Sequence, residues 1–288
     1  MTPELLCPPK GSCLKLEHFI FCFFLCCSVI HSHGNLSIRI QQKTVEISKN
    51  PNNSKLYFER GFLYQQHFEY GKAISDFNKS EILGYTTALL YFRKAEALLA
   101  NNQPLKALEA TNRIFNENNN DSKIYKLRAQ IYYALNEYSK ALKSYQYVLK
   151  NMKDIGPSDI LEYSEIILAK NPTNYKDALE VIETGLEKIG EQTLTLNLKK
   201  LDYLIASKNN EKVIEQYNFF ITSSKRKENW YYKKAIYLRS IEKDADANIA
   251  LQQAKTAIVL LKPKTQNTIA IKRLVSQIYE LEKTLPYD

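Results

Sequence analysis

The hydrophobic pattern changes character along the chain. From Phe19 to Ile30 apolar residues are contiguous (FIFCFFLCCSVI), and the run then breaks into His31, Ser32, His33 and Gly34. Further on they recur at intervals of three and four, as in Ile74, Phe77 and Ile82, the stripe of a helix with one buried face. Polar punctuation separates the stripes. Glu69-Tyr70-Gly71, Asn101-Asn102-Gln103-Pro104 and Asn136-Glu137 read as tight turns, with Pro104 placed to open a helix, while Asn50 to Ser54 and Asn116 to Ser122 read as caps. The pattern predicts an all-α chain of short helices.

These helices repeat with a fixed period. Small residues Gly61, Ala95 and Ala129 stand 34 apart, and a second series, Ala73, Ala107 and Ala141, also steps by 34, always 12 beyond the first. Aromatic positions share the frame: Tyr57, Tyr91 and Tyr125 precede the first series by four, and Phe77 and Tyr145 follow the second by four. The register resumes with Leu201 and Ala235, then Val213 and Ala247. Between them Ser164 and Ala178 fit if the Asn171-Pro172-Thr173-Asn174 loop holds two extra residues. Small residues at this spacing let two antiparallel helices cross closely, and aromatics fill the wider gaps.

In these residues the chain resembles the tetratricopeptide repeat, which sets a large, a small and an aromatic residue on one helix and alanine followed by an aromatic on the next. The resemblance implies an α-solenoid of helix pairs forming a right-handed superhelix. Repeats are expected at 54–87, 88–121, 122–155, 156–193, 194–227 and 228–262, behind a half-repeat capping helix at 35–53 that carries Ile38, Ile40, Val45 and Ile47. A C-terminal capping segment, 263–288, is expected as one helix from about Thr265 to Leu285. The whole is expected to be a single array with no second domain. The structural signature is Gly61, Ala73, Phe77, Ala95, Ala107, Ala129, Ala141, Tyr145, Ala235 and Ala247. The resemblance further implies a concave groove lined by the first helix of each pair. Its aromatic and cationic first half, Phe58, Phe62, Phe92, Arg93, Lys126, Gln130 and Tyr133, is the expected binding surface for a protein or peptide segment. Helix packing between repeats is the alternative duty for the rings. The lysine and asparagine of a carboxylate-clamping repeat are replaced here by Phe58, Phe62 and Arg93.

Composition narrows the chemistry. Eight glycines and nine prolines in 288 residues are about half the usual share, too few turn-formers for a sandwich or barrel. No Gly-x-Gly pair is present to cradle a phosphate. All five cysteines lie at or before Cys27, and His67 is the only histidine within the repeats, so thiol, zinc and haem sites lack ligands and no cofactor is expected. Nine acids against three bases between Asp154 and Glu191 sit at helical surface spacing and read as a solvated face. The net charge of +9 is spread along the body, with small knots such as Lys225-Arg226-Lys227 and no aromatic-interleaved basic module, so nucleic acid is not indicated.

Residues 1–34 read as a signal peptide: Lys10 and Lys15 precede the apolar run, whose twelve residues at roughly 1.5 Å each fall short of a bilayer core of about 30 Å. The expectation is an exported, non-enzymatic protein-interaction scaffold without a small-molecule substrate, in the periplasm, envelope or outside the cell. The alternatives are anchoring in a membrane by residues 19–30, a cytosolic or nucleic-acid-associated adaptor if the run is not a signal, and, last, an enzyme of unrecognised type.

Overall fold

The computed structural model describes residues 35–114 and 121–284. The expected signal peptide, 1–34, lies outside them, as does most of the cap cluster from Asn116 to Ser122. Every regular element among the described residues is helical, giving an all-α helical-repeat fold. The chain divides into two compact units, 1–137 and 138–288, where the periodicity predicts one continuous array. In a repeat fold each element packs chiefly on its near neighbours in sequence.

The first unit contains α1 (35–49), α2 (Ser54–Gln66), α3 (Tyr70–Ile82), α4 (Ala88–Ala100), α5 (Pro104–Asn112) and α6 (Ser122–Ala134). α2 packs on α3, and α4 on α5, while α4 also touches α2 and α6. Side chains cap the starts of these helices: Asn53 accepts from the amide of Lys55, Thr87 from Leu90 and Asp121 from Lys123. α1 joins α2 through Lys43, 2.8 Å from Glu59, and through Thr44, whose Oγ1 accepts from Arg60 Nη1.

The second unit contains α7 (Tyr138–Asn151), α8 (Pro157–Lys170), α9 (Tyr175–Ile189), α10 (Leu194–Ala206), α11 (Asn210–Ser223), α12 (Glu228–Ser240), α13 (Asp244–Val259), α14 (Pro263–Gln266) and α15 (Ile269–Glu282). The expected single C-terminal helix is interrupted. Gln266 Nε2 donates to the carbonyls of Val259 and Leu261, folding α14 back onto the end of α13, and Thr268 caps a fresh helix by accepting from the amide of Ile271. α15 then buries Ile271, Leu274 and Ile278 beside Ala250, Leu251 and Ala254 of α13.

One turn recurs in both units. Phe68, Asn102, Asn136, Lys208 and Glu242 all have φ near +60°, and the next residue donates its amide to the carbonyl five residues earlier, as Glu69 does to Tyr64 and Lys243 to Leu238. This is a Schellman closure, which satisfies the last carbonyls of the helix. The turn after α8 differs because Pro172 has no amide to donate, and Asn171 and Asn174 close it with a longer loop. At the helix crossings Ala73, Ala95, Ala107, Ala129, Ala141, Ala235 and Ala247 have no exposed surface, nor do Phe77 and Tyr145.

Candidate interaction face

The first helices α2, α4 and α6 lie side by side in the first unit, so residues 34 apart stack across them. Two of the expected groove rings turn out to be packing residues. Phe58 is half-buried, its ring centroid 5.1 Å from that of Tyr85 and 6.0 Å from that of Phe77, where it seals the α2–α3 core. Phe92 is likewise half-buried, packed against the cluster of Ala95 and Leu98 and that of Ile114 and Ile124. Of the two duties expected for these rings, packing is the one that these contacts supply, and Tyr85, in the α3–α4 loop, covers Phe58 from outside the repeat frame.

Phe62 and Arg93 are brought together. The Arg93 guanidinium sits 4.7 Å from the Phe62 ring centroid, a cation–π stack, while its Nη1 donates to Glu96 Oε2 at 2.9 Å. Gln65 Nε2 donates to the same carboxylate oxygen at 3.1 Å, tying α2 to α4. Arg93 thus stands between two hollows. One, of about 400 Å³, is bordered by Phe62, Gln65, Tyr70 and Glu96; the other, of about 300 Å³, by Leu89, Phe92, Lys123 and Ile124. Lys126 and Gln130 on α6 are half-buried, and Tyr133 is 43% exposed. Leu89, 50% exposed, belongs to this face but was not selected by the repeat frame. Its signal was an apolar residue one turn ahead of Arg93, outside the positions that the frame marks as groove-facing.

His67 ends α2 as a capping residue, with Nδ1 3.0 Å from Glu69 Oε1 and Nε2 3.4 Å from Ser37 Oγ. Among the described residues no three His, Cys, Asp or Glu side chains are placed to hold a metal ion, and no helix is long and apolar enough to cross a membrane.

Neither a family model nor the sequence of a curated protein matches the chain. Solved structures do. A tetratricopeptide repeat protein from Parabacteroides merdae superposes with a TM-score of 0.54 at 15% identity, over 88% of this chain and 95% of that one. The Naa15/Naa10 structure, bound to HypK-THB, is similar at 12% identity with a TM-score of 0.52, covering 90% of this chain and 41% of the other. The chain has the fold of the tetratricopeptide repeat proteins.

Proposed function

We propose that this chain is a non-enzymatic protein-interaction scaffold that holds a segment of a partner protein on the α2–α4–α6 face and works after export. The observation that carries the reading is the seating of Arg93. A cation stacked on Phe62 and oriented by Glu96 is pre-organised, so little side-chain entropy is lost when a partner meets it. Beside it lie two hollows and the partly exposed Leu89, with the partly exposed Tyr133 on α6 of the same unit, the mixture of apolar, aromatic and arginine surface that interface cores favour. That a chain of the same fold is seen bound to HypK-THB agrees with this use. Export is argued from Lys10, Lys15 and the apolar run from Phe19 to Ile30.

The test of binding is affinity capture with the full chain and with an Arg93→Gln/Tyr133→Ala variant. Both changes are at partly exposed positions and should leave the melting curve close to that of the parent. Loss of the captured partner from the variant is expected, and equal capture by the folded variant rejects the face. Export is tested by the intact mass of material outside the cytoplasm, expected to begin near His31 to Asn35. Material retaining Phe19 to Ile30 in a membrane fraction rejects cleavage.

A further inference from the structure

Four first helices carry tyrosine four residues before the small crossing residue: Tyr57, Tyr91, Tyr125 and Tyr231. Where it is well covered, as at Tyr91 with 9% exposure, this ring packs with Ile114, just past its own second helix, while its hydroxyl donates to Glu81 on the second helix of the preceding pair. In the fifth pair the position is Asn197, and the ring is missing. Its space is open as a groove of about 500 Å³ between α9 and α11, floored by α10.

The groove floor is polar, buried and locked. Asn197 and Gln216 are only 3% and 6% exposed. Asn197 Nδ2 donates to the carbonyls of Glu191 and Thr193 at 2.7 and 3.1 Å, and its Oδ1 accepts from Gln216 Nε2 at 2.9 Å. Gln216, whose Nε2 is spent on Asn197, lines the groove and offers its carbonyl oxygen there as an acceptor. An amide oxygen facing a groove can take a donor from a ligand in place of water. The walls are apolar, from Leu186, Leu204 and Phe219. At the mouth stand Glu187, Glu191 and Glu215, with Glu183 already paired to Lys200 at 2.9 Å and Lys212 the other cation. An acidic mouth is out of character for a chain of net charge +9.

We infer that the α9–α11 groove docks an arginine-bearing basic segment of a partner protein, at a site separate from the α2–α4–α6 face. An acceptor at the floor, apolar walls and a carboxylate rim match one side chain in order: a guanidinium with donors on several edges, an aliphatic stem, and a basic flanking chain. Lysine offers a compact ammonium that keeps its water more strongly and cannot present a planar fork to the Gln216 oxygen and a carboxylate together.

The test is fluorescence anisotropy of the full chain with a fluorescein-labelled hexapeptide alternating arginine and leucine, alongside lysine–leucine and glutamate–leucine counterparts. The arginine peptide should bind, the lysine peptide more weakly and the glutamate peptide not at all. Two variants should each weaken the arginine peptide by about tenfold or more, the scale of losing one or two charge-assisted contacts. Glu187→Lys/Glu215→Lys changes only exposed rim residues. Asn197→Tyr/Gln216→Ala installs the residues that α12 and α13 carry at these places, Tyr231 and Ala250, and should close the groove with helicity intact. No binding of the arginine peptide by the parent, equal binding of the lysine peptide, or unchanged binding by the folded rim variant would each overturn the inference.

Discussion

The ring of Phe77 lies against Gly61 so closely that a Cβ on the glycine would stand 2.8 Å from Cε1 and 2.9 Å from Cδ1. Phe77 has no exposed surface into which to retreat, and the carbonyl of Ala73 closes the other side at 3.2 Å. Gly61→Ala should therefore cost about 1–2 kcal/mol, because overpacking strain of roughly 1–3 kcal/mol exceeds the gain of about 1 kcal/mol in helix propensity. Gly71→Ala, where an added Cβ meets nothing within 4 Å, should be neutral or stabilising by under about 1 kcal/mol. Urea melts of the two variants check the pair; a Gly61→Ala protein as stable as its parent would mean that the α2–α3 crossing is looser than described.

Charge placement gives a second contrast. Ala141 has no exposed surface, so Ala141→Asp buries an unpaired carboxylate and should cost several kcal/mol, in the range of about 3–5. Lys225→Glu alters an exposed loop residue and should change stability by under about 0.5 kcal/mol. Thermal melts that shift equally would refute the assignment of Ala141 to a crossing.

The crossings were legible in the sequence because they demand small residues at a fixed spacing, and no side-chain detail is needed to see that. Gly61, Ala95 and Ala129 mark them whatever their surroundings. Phe58 was not legible in the same way. The repeat frame says which helix face it occupies, but its burial depends on Tyr85, a loop residue that no helical period governs. The Gln65–Glu96 link spans 31 residues and so falls outside a frame of 34. The break between α14 and α15 was hidden too, since Gln266 reads as a surface residue until its amide is seen to bridge two carbonyls of the preceding chain. What the period conveys is backbone crossing; the cover of Phe58 by Tyr85 and the polar pairing of Gln65 with Glu96 on the proposed face are details that the period does not constrain.

A third prediction concerns the shared turn. Its left-handed position is held by Asn102 and Asn136 in two turns and by Phe68 in another, at φ 61° with 64% of the residue exposed. Asparagine tolerates this region by local hydrogen bonding, whereas a bulky side chain there is strained. Phe68→Asn should stabilise the chain by about 0.5–1 kcal/mol despite losing the edge-on contact between the rings of Phe68 and Tyr70. A lower urea midpoint would show that this ring contact outweighs the backbone strain.

Alkaline pH should unfold this chain through its tyrosines. Burial raises the hydroxyls of Tyr163 and Tyr203, and pushes Tyr217 up to about 12. Burial also raises Tyr145, further held by its hydrogen bonds to Glu162 and Asp159. The sign follows from where the protons sit. In the unfolded chain these phenols ionise near pH 10, while in the folded chain they keep their protons to higher pH. The stability they contribute is thus fully present below about pH 10 and is lost as pH rises through the folded values, because the unfolded state there binds fewer protons. Urea midpoints should be flat between about pH 8 and 9.5 and should fall steeply above 10. Tyr217→Phe keeps the ring and removes the ionising group, so its midpoint should fall less over the same interval. Absorbance of tyrosinate supplies the independent reading: the buried phenols should ionise together with the loss of helical signal and not before it. Identical pH slopes for parent and Tyr217→Phe, or full ionisation of the tyrosines in a chain that is still helical, would exclude buried phenols as the cause.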